Sequence, residues 1–189
     1  MADAEFLLLG DALWLDLVNT ATTPPDWHDG LPDPAALHRW SKAVRVEAAS
    51  GTGAFADALA LRHKLLALAE ALAAGRGPTP AAVESLNRVL GAVEGREALV
   101  RVSGSWRVRF QAARSPGALE AVAQSAAASL SHPLLVIRRC ANPECRLFFG
   151  DESPNHSRRW CSPTRCGRRG RVARRRTAPP SRRNPAGRS

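Results

Sequence analysis

Apolar residues recur at helical spacing through much of the N-terminal part of the chain. The clearest case is the alanine- and leucine-rich segment 54–74, whose pattern predicts a long amphipathic helix. Its predicted inward face includes Leu65, Leu68, Ala69 and Leu72. The apolar segment 5–20 is compatible with a helix or a buried strand, and we favour a helix from Asp11. A further alanine-rich helix is predicted over about 117–131.

Two proline-containing pairs predict where other helices begin. Asp33-Pro34 and Thr79-Pro80 each place a side-chain oxygen acceptor before a proline, as in an N-cap followed by the first helical residue. We expect the first of these helices to reach about Ala49 and the second to reach about Val93. The inward face of the first helix is predicted to include Leu37, Trp40 and Val44.

The pattern changes from helical to alternating over residues 97–110. Polar and apolar residues alternate on both sides of a Ser-Gly-Ser turn, which predicts a β-hairpin. The apolar positions in this segment include Leu99, Trp106, Val108 and Phe110. The N-terminal domain, 1–135, is therefore expected to be mainly α with one small β-hairpin, an α+β fold.

The charge of the chain is concentrated at its C-terminal end. Of the net charge of +10, residues 1–137 carry −2 and residues 138–189 carry +12. The N-terminus has no cationic leader, and no apolar run approaches the roughly 18 residues that a membrane span needs. These features predict a cytoplasmic protein without membrane contact, in which the basic segment is a separate functional unit.

All four cysteines lie close together in this basic part, with the spacing C-x4-C-x15-C-x4-C. Two pairs of thiolates brought together from separate turns can hold one structural Zn²⁺ in tetrahedral coordination. The predicted ligands are Cys140, Cys145, Cys161 and Cys166. Four unrelated thiols, a redox pair, or replacement of one cysteine by an intervening acidic residue or histidine are the alternatives. Those intervening residues are Asp151, Glu152 and His156.

The segment after Cys161 combines a helix signal with many arginines. Ser162-Pro163 predicts a helix that begins just after Cys161 and carries Cys166 on its second turn. The predicted nucleic-acid contacts are Arg158, Arg159, Arg165, Arg168, Arg169, Arg171, Arg174, Arg175 and Arg176. Three aromatic residues are expected to form the small core of the zinc module rather than to stack on bases. They are Phe148, Phe149 and Trp160.

The cysteine segment RRCANPECRLFFGDESPNHSRRWCSPTRCGRR resembles the CGNR zinc finger, a bacterial C-terminal module. The motifs DLVNT, LHRW, LRHKLLALAEAL and SLNRVL likewise resemble the ABATE domain that accompanies it. The resemblance implies a stress-responsive transcription regulator, with the four cysteines as zinc ligands and a finger that binds DNA or RNA. The chain departs from the family tetrapeptide at Arg168, where the family has asparagine.

The predicted organisation is an ABATE-like domain over 1–135, a zinc finger with a basic helix over 136–176, and a disordered basic tail over 177–189. The predicted function is nucleic-acid binding associated with the bacterial nucleoid, with DNA favoured over RNA. The alternative is an adaptor that docks on an acidic protein partner or a ribonucleoprotein. Catalysis is not expected, because a four-sulfur site leaves no open coordination position.

The role of the N-terminal domain is less defined by its sequence. It fits a small-molecule sensor, a homodimerisation unit or both. The polar residues Asp16, Asn19 and Thr20 interrupt an apolar segment, which is compatible with ligand binding but favours hydrogen bonds to nearby backbone groups.

Overall fold

A computed structural model describes residues 6–23, 26–48 and 51–168. The helices are α1 (Leu13–Asn19), α2 (Pro34–Ala43), α3 (Ala54–Ala73), α4 (Pro80–Leu90) and α5 (Ala118–Ser131). The strands are β1 (Gly95–Val102), β2 (Ser105–Ala112), β3 (Val136–Arg139) and β4 (Phe148–Asp151). They form two antiparallel hairpins, β1–β2 and β3–β4. This architecture confirms the predicted α+β fold with a C-terminal four-cysteine module.

Both predicted N-caps are present. The Asp33 carboxylate accepts a hydrogen bond from the Ala36 N–H at 2.7 Å, and the Thr79 hydroxyl accepts one from the Ala82 N–H at 3.3 Å. Such caps satisfy amide groups that have no partner within the first helical turn.

The predicted C-terminal ends of these two helices are wrong. Helix α2 ends at Ala43 rather than near Ala49, because Arg45 adopts a left-handed backbone conformation with φ of 60°. Helix α4 ends at Leu90, directly before Gly91, a residue type with low helix propensity.

The N-terminal core is built around the short helix α1. Trp14 and Leu15 of α1 are completely buried, and the Trp14 indole Nε1 donates a hydrogen bond to the Ser129 hydroxyl of α5 at 2.9 Å. On the predicted inward face of α3, Leu65, Leu68 and Ala69 are buried, whereas Leu72 packs against the core only partly buried.

The β3–β4 hairpin belongs to this same core. Ile137 of β3 and Phe148 of β4 are 5% and 4% exposed and pack in one cluster with α1, α3 and α5. The Asn19 side chain at the end of α1 holds β4 with two hydrogen bonds to Phe148, one to its carbonyl at 2.9 Å and one from its N–H at 2.8 Å. The zinc module is therefore joined to the N-terminal domain by shared packing.

Within the described ranges, none of the helices combines the length and apolar character that a membrane crossing requires.

Candidate metal centre and its arginine surface

The first cysteine pair lies on the loop that connects β3 to β4. Cys140 follows the last residue of β3, and its N–H donates to the Leu147 carbonyl at 2.9 Å, which continues the hairpin ladder. Cys145 ends a tight turn in which its N–H donates to the Asn142 carbonyl at 2.8 Å. The hairpin therefore brings two thiols to one end of the ladder.

The second pair is positioned by a capped turn. The Ser162 hydroxyl accepts a hydrogen bond from the Arg165 N–H at 3.2 Å and begins a single π-helical turn, Pro163–Gly167. This confirms a helical start after Cys161, but Cys166 lies within the first and only described turn rather than on a second turn. A hydrogen bond from the Ala141 N–H to the Arg159 carbonyl, 2.8 Å long, joins the two cysteine-bearing segments.

The four sulfur atoms form a compact, buried group. All four Sγ atoms lie within 4.8 Å of one another, with 3.8 Å between Cys145 and Cys161 and 3.6 Å between Cys161 and Cys166. Zinc–sulfur bonds of about 2.3 Å in a tetrahedron require sulfur–sulfur separations of about 3.8 Å. These separations are far longer than a disulfide bond, and all four residues are at most 9% exposed. The cluster fits one structural zinc ion.

The thiols strongly affect one another's ionisation. Hydrogen bonds from the Cys145 and Cys161 thiols lower the pKa of Cys140, whereas the hydrogen bond to Cys140 raises the pKa of Cys145 to about 12. The pKa of Cys161 is raised for the same reason, reinforced by burial. Ionisation of one thiol is thus favoured, whereas ionisation of the other thiols is unfavourable unless a bound cation offsets the negative charge. A divalent ion bound by all four sulfurs supplies that compensation and releases protons as it binds.

The acidic residues and the histidine between the cysteine pairs do not join this cluster. Asp151 is completely buried, and its carboxylate accepts hydrogen bonds from Ser153 Oγ at 2.6 Å and Arg138 Nε at 2.8 Å. Burial alone would raise the pKa of Asp151, but these bonds outweigh it and lower the pKa. Neither Glu152 nor His156 is among the clustered metal-ligand groups found in the described part of the chain.

The aromatic residues of the module are divided between two cores. Phe148 packs into the N-terminal core, whereas Phe149 is completely buried against the cysteines. Trp160 is partly buried and packs against the same cysteine cluster. Phe149 and Trp160 therefore form part of the zinc module's core as predicted, whereas the prediction is wrong for Phe148, which β4 directs into the N-terminal core.

Arg158 is the most extensively bonded of the predicted nucleic-acid contacts. Its guanidinium lies 4.5 Å from the centre of the Phe149 ring and donates to the Trp160 and Cys161 carbonyls at 3.0 and 2.6 Å. It also donates to the Asp11 carboxylate at 2.6 Å. The donors of Arg158 are therefore engaged inside the protein, where they tie the cysteine loop to the N-terminal domain.

Other arginines around the metal centre are exposed. Arg159, Arg165 and Arg168 each lie one or two residues from a cysteine ligand. Arg139 and Arg146, which are not among the contacts predicted from sequence, are also exposed and directly adjoin Cys140 and Cys145. Their position next to a predicted zinc ligand could have identified both arginines from the sequence. The other predicted contacts, Arg169, Arg171, Arg174, Arg175 and Arg176, lie outside the described residues.

The polar residues of α1 have partners within the protein. Asn19 binds the backbone of Phe148, and the Thr20 hydroxyl donates to the Leu17 carbonyl at 2.6 Å and accepts from Arg62 at 3.1 Å. The Asp16 carboxylate accepts from the Gly10 N–H at 2.8 Å. The cavity beside these residues measures about 10 Å³, which is room for about one water molecule. Their geometry favours the structural interpretation over ligand binding.

The ionisation of Asp16 leads to a prediction about stability. Burial raises the pKa of Asp16 from 3.8 to about 6, with a smaller contribution from the Asp11 charge, against the opposing hydrogen bond from Gly10. Because the folded-state pKa is the higher one, the stabilisation is complete below pH 3.8 and is lost as pH rises through about 6. We expect Asp16→Asn, whose amide oxygen can keep the Gly10 hydrogen bond, to raise the unfolding free energy at pH 7.5 by about 1 to 2 kcal/mol.

The measurement is urea unfolding of the wild type and Asp16→Asn between about pH 4.5 and pH 8, which covers the rise to the folded-state pKa and the plateau above it. Zinc binding contributes equally to both proteins, so the difference between their unfolding free energies isolates Asp16. That difference should grow as pH rises towards about 6 and level off above it, and a difference independent of pH over this range would show that Asp16 has an ordinary pKa.

Comparison with known protein families agrees with this architecture. The ABATE family model, described as "Putative stress-induced transcription regulator", matches residues 11–133, and the CGNR zinc finger model matches residues 137–178. No curated protein matches the chain. The chain belongs to the ABATE family and carries a C-terminal CGNR zinc finger, which defines it as a zinc-finger protein of a transcription-regulator family.

Proposed function

We propose that this protein is a regulator that binds nucleic acid through its zinc module, with duplex DNA as the favoured target. The observation that carries the proposal is the set of exposed arginines placed beside the buried sulfur cluster. The zinc ion fixes the fold of the loops, and the guanidinium groups on these loops contact phosphates and base edges. The proposal places the protein in the bacterial cytoplasm, at the nucleoid, in a stress-responsive role.

The proposed contact surface differs from the one predicted from sequence. Arg158 is left out because its donors bind carbonyl groups and Asp11. The exposed residues on the surface are Arg139, Arg146, Arg159, Arg165 and Arg168. The arginines that follow in the sequence extend the positive charge and add to affinity for any nucleic acid.

A catalytic role is not proposed. A zinc ion held by four cysteines has no position for a substrate or an activated water. An adaptor that docks on an acidic protein is the second candidate, because the same exposed arginines would suit an acidic surface. Nuclease treatment separates the two, because complexes bridged by nucleic acid dissociate and direct protein complexes remain.

Arg168 provides the test of sequence-specific binding. An arginine on a groove-facing turn pairs with guanine through two hydrogen bonds, whereas the family asparagine pairs with adenine in the same manner. We expect Arg168→Asn to keep its zinc and to shift the selected sites from guanine towards adenine at one position. Such a discrimination corresponds to about 1 to 3 kcal/mol. The measurement is selection of bound sequences from a random duplex pool by the zinc-loaded full chain.

The sequences selected by wild type and Arg168→Asn show whether Arg168 reads a base or contacts only a phosphate. If Arg168 contacts only a phosphate, Arg168→Asn weakens binding to every sequence alike and reduces the salt slope by about one. Identical selected motifs for wild type and variant would reject base reading by Arg168. If no sequence is enriched from the pool and the protein binds neither duplex nor single-stranded nucleic acid, the proposed function itself is rejected.

A further inference from the structure

The β1–β2 hairpin presents an exposed apolar face. Four large side chains on one side of the hairpin are each more than half exposed, namely Leu99 (64%), Trp106 (65%), Val108 (62%) and Phe110 (54%). The strand register places Leu99 opposite Val108 at the centre of this face. We call the surface formed by these four residues the hairpin face. Isolated exposed apolar residues are ordinary, but a contiguous group is typical of an interaction site.

Charged residues at the two ends of the hairpin face have opposite signs. Glu97 lies opposite Phe110 at one end, and Arg101 lies opposite Trp106 at the other end. Because side chains alternate between the two sides of a strand, Glu97, Leu99 and Arg101 share one side of β1. The face therefore has a negative end, an apolar centre and a positive end.

We propose that the hairpin face binds the hairpin face of a second copy of this chain, related by a two-fold axis. The axis lies in the plane of the interface, runs perpendicular to the strands and passes through the Leu99–Val108 pair. It stacks Leu99 on Leu99 of the second copy. The same axis places Glu97 opposite Arg101 of the second copy and Phe110 opposite Trp106 of the second copy. One alignment thus pairs both opposite charges and both aromatic residues.

The area of the face sets the expected strength of this dimer. Four side chains exposed to this extent offer roughly 400 Å² per copy. A standard stable interface buries about 800 Å² per partner. The hairpin face therefore supports a reversible dimer with a dissociation constant on the order of 10 μM rather than an obligate one.

Single-stranded nucleic acid is the rival occupant, since exposed aromatic residues can stack on bases. The arrangement of the face favours a second copy. Two aliphatic residues, Leu99 and Val108, occupy its centre, and the register places Arg107 and Arg109 on the opposite side of β2. Within the described hairpin, Arg101 is the single cation on the hairpin face, and Glu97 beside Phe110 would repel a phosphate backbone.

The test is sedimentation equilibrium of the zinc-loaded full chain from about 1 to 300 μM, a range that brackets the expected dissociation constant. Wild type should change from monomer to dimer. Val108→Glu should remain monomeric, because it places two like charges at the centre of the interface. Gln111→Glu is the matched control, since it makes the same charge change at an exposed position on the opposite side of β2, and it should dimerise as wild type does.

A charge exchange tests the two-fold alignment. Glu97→Arg and Arg101→Glu each place like charges opposite each other and should weaken self-association by at least about tenfold. An equimolar mixture of the two variants should associate again, because each then supplies the charge that the other lacks. Far-ultraviolet circular dichroism establishes that the variants remain folded.

Three results would overturn the proposal: a monomeric wild type over the whole range, a dimer of Val108→Glu, or a mixture that does not associate. A monomeric wild type whose binding to an oligothymidylate is lost in Trp106→Ala would assign the face to single-stranded nucleic acid instead. None of these results depends on whether the zinc module binds DNA, so the dimer and the proposed function fail separately.

Discussion

Cys161→Ser is expected to remove stoichiometric zinc and to unfold the C-terminal module. Structural zinc in small fingers contributes an apparent binding free energy of about 10 to 16 kcal/mol at neutral pH, which exceeds what so small a core can supply. Metal analysis of the protein purified under reducing conditions should give one zinc per chain for wild type and a clear deficit for the variant.

The structure extends this effect into the N-terminal domain. The sequence alone predicts that this domain stays folded when the finger unfolds. Ile137 and Phe148, however, pack in the core with α1 and α3, and Asn19 binds Phe148. Loss of a large core side chain costs about 3 to 5 kcal/mol, so the helical domain should unfold at a lower temperature in Cys161→Ser.

His156→Asn is the control for the identity of the ligands. His156 has a left-handed backbone conformation, φ 44°, which asparagine tolerates better than most residues. This variant should retain one zinc per chain. Stoichiometric zinc and an unchanged melting temperature in Cys161→Ser would contradict the four-cysteine site, and loss of zinc in His156→Asn would implicate the histidine.

Binding to duplex DNA is expected to fall about a thousandfold between about 50 and 200 mM salt. Each arginine that neutralises a phosphate releases condensed counterions, and each contact contributes a slope of about −0.9 to the plot of log affinity against log salt. Five exposed arginines adjoin the cysteines, and more follow in the sequence, so six contacts are a reasonable number. Fluorescence anisotropy of a labelled duplex at several salt concentrations measures the slope.

A truncated chain would be a poor control for this measurement. Removal of the residues after Ile137 would also remove Phe148 from the N-terminal core and break the contact with Asn19. Point substitutions at Arg159 and Arg165 reduce the positive charge and leave Phe148 in place, whereas Arg139 lies 5.7 Å from the centre of the Phe148 ring and is less suitable. Loss of binding in the first two can therefore be assigned to the surface rather than to unfolding.

Those features of the fold that depend on neighbouring residues could be predicted from the sequence. The caps at Asp33 and Thr79 and the turn beginning at Ser162 each use a hydrogen bond to an N–H three residues further on. The zinc ligands could also be predicted from the sequence, because all four cysteines fall in one short segment and thiolate is a strong zinc ligand.

Features that depend on distant residues could not be predicted in this way. Asn19 and Phe148 are 129 positions apart, so nothing in the DLVNT motif shows that its asparagine holds a strand of the zinc module. Arg158 likewise has the same charge as its neighbours, and only its contacts with Phe149 and Asp11 distinguish it. The end of α2 depends on the backbone conformation of Arg45, for which the sequence carries no clear signal.

The central claim is that the zinc module presents its arginines to nucleic acid, and the salt slope of a double variant tests it most directly. Arg159→Ala/Arg165→Ala removes two exposed arginines beside the second cysteine pair and should keep its zinc. Its slope should be about two units shallower than that of wild type. The matched control, Arg107→Ala/Arg109→Ala, removes the same charge from the β1–β2 hairpin and should leave the slope unchanged. Equal slopes for wild type and Arg159→Ala/Arg165→Ala, with zinc retained, would contradict the claim.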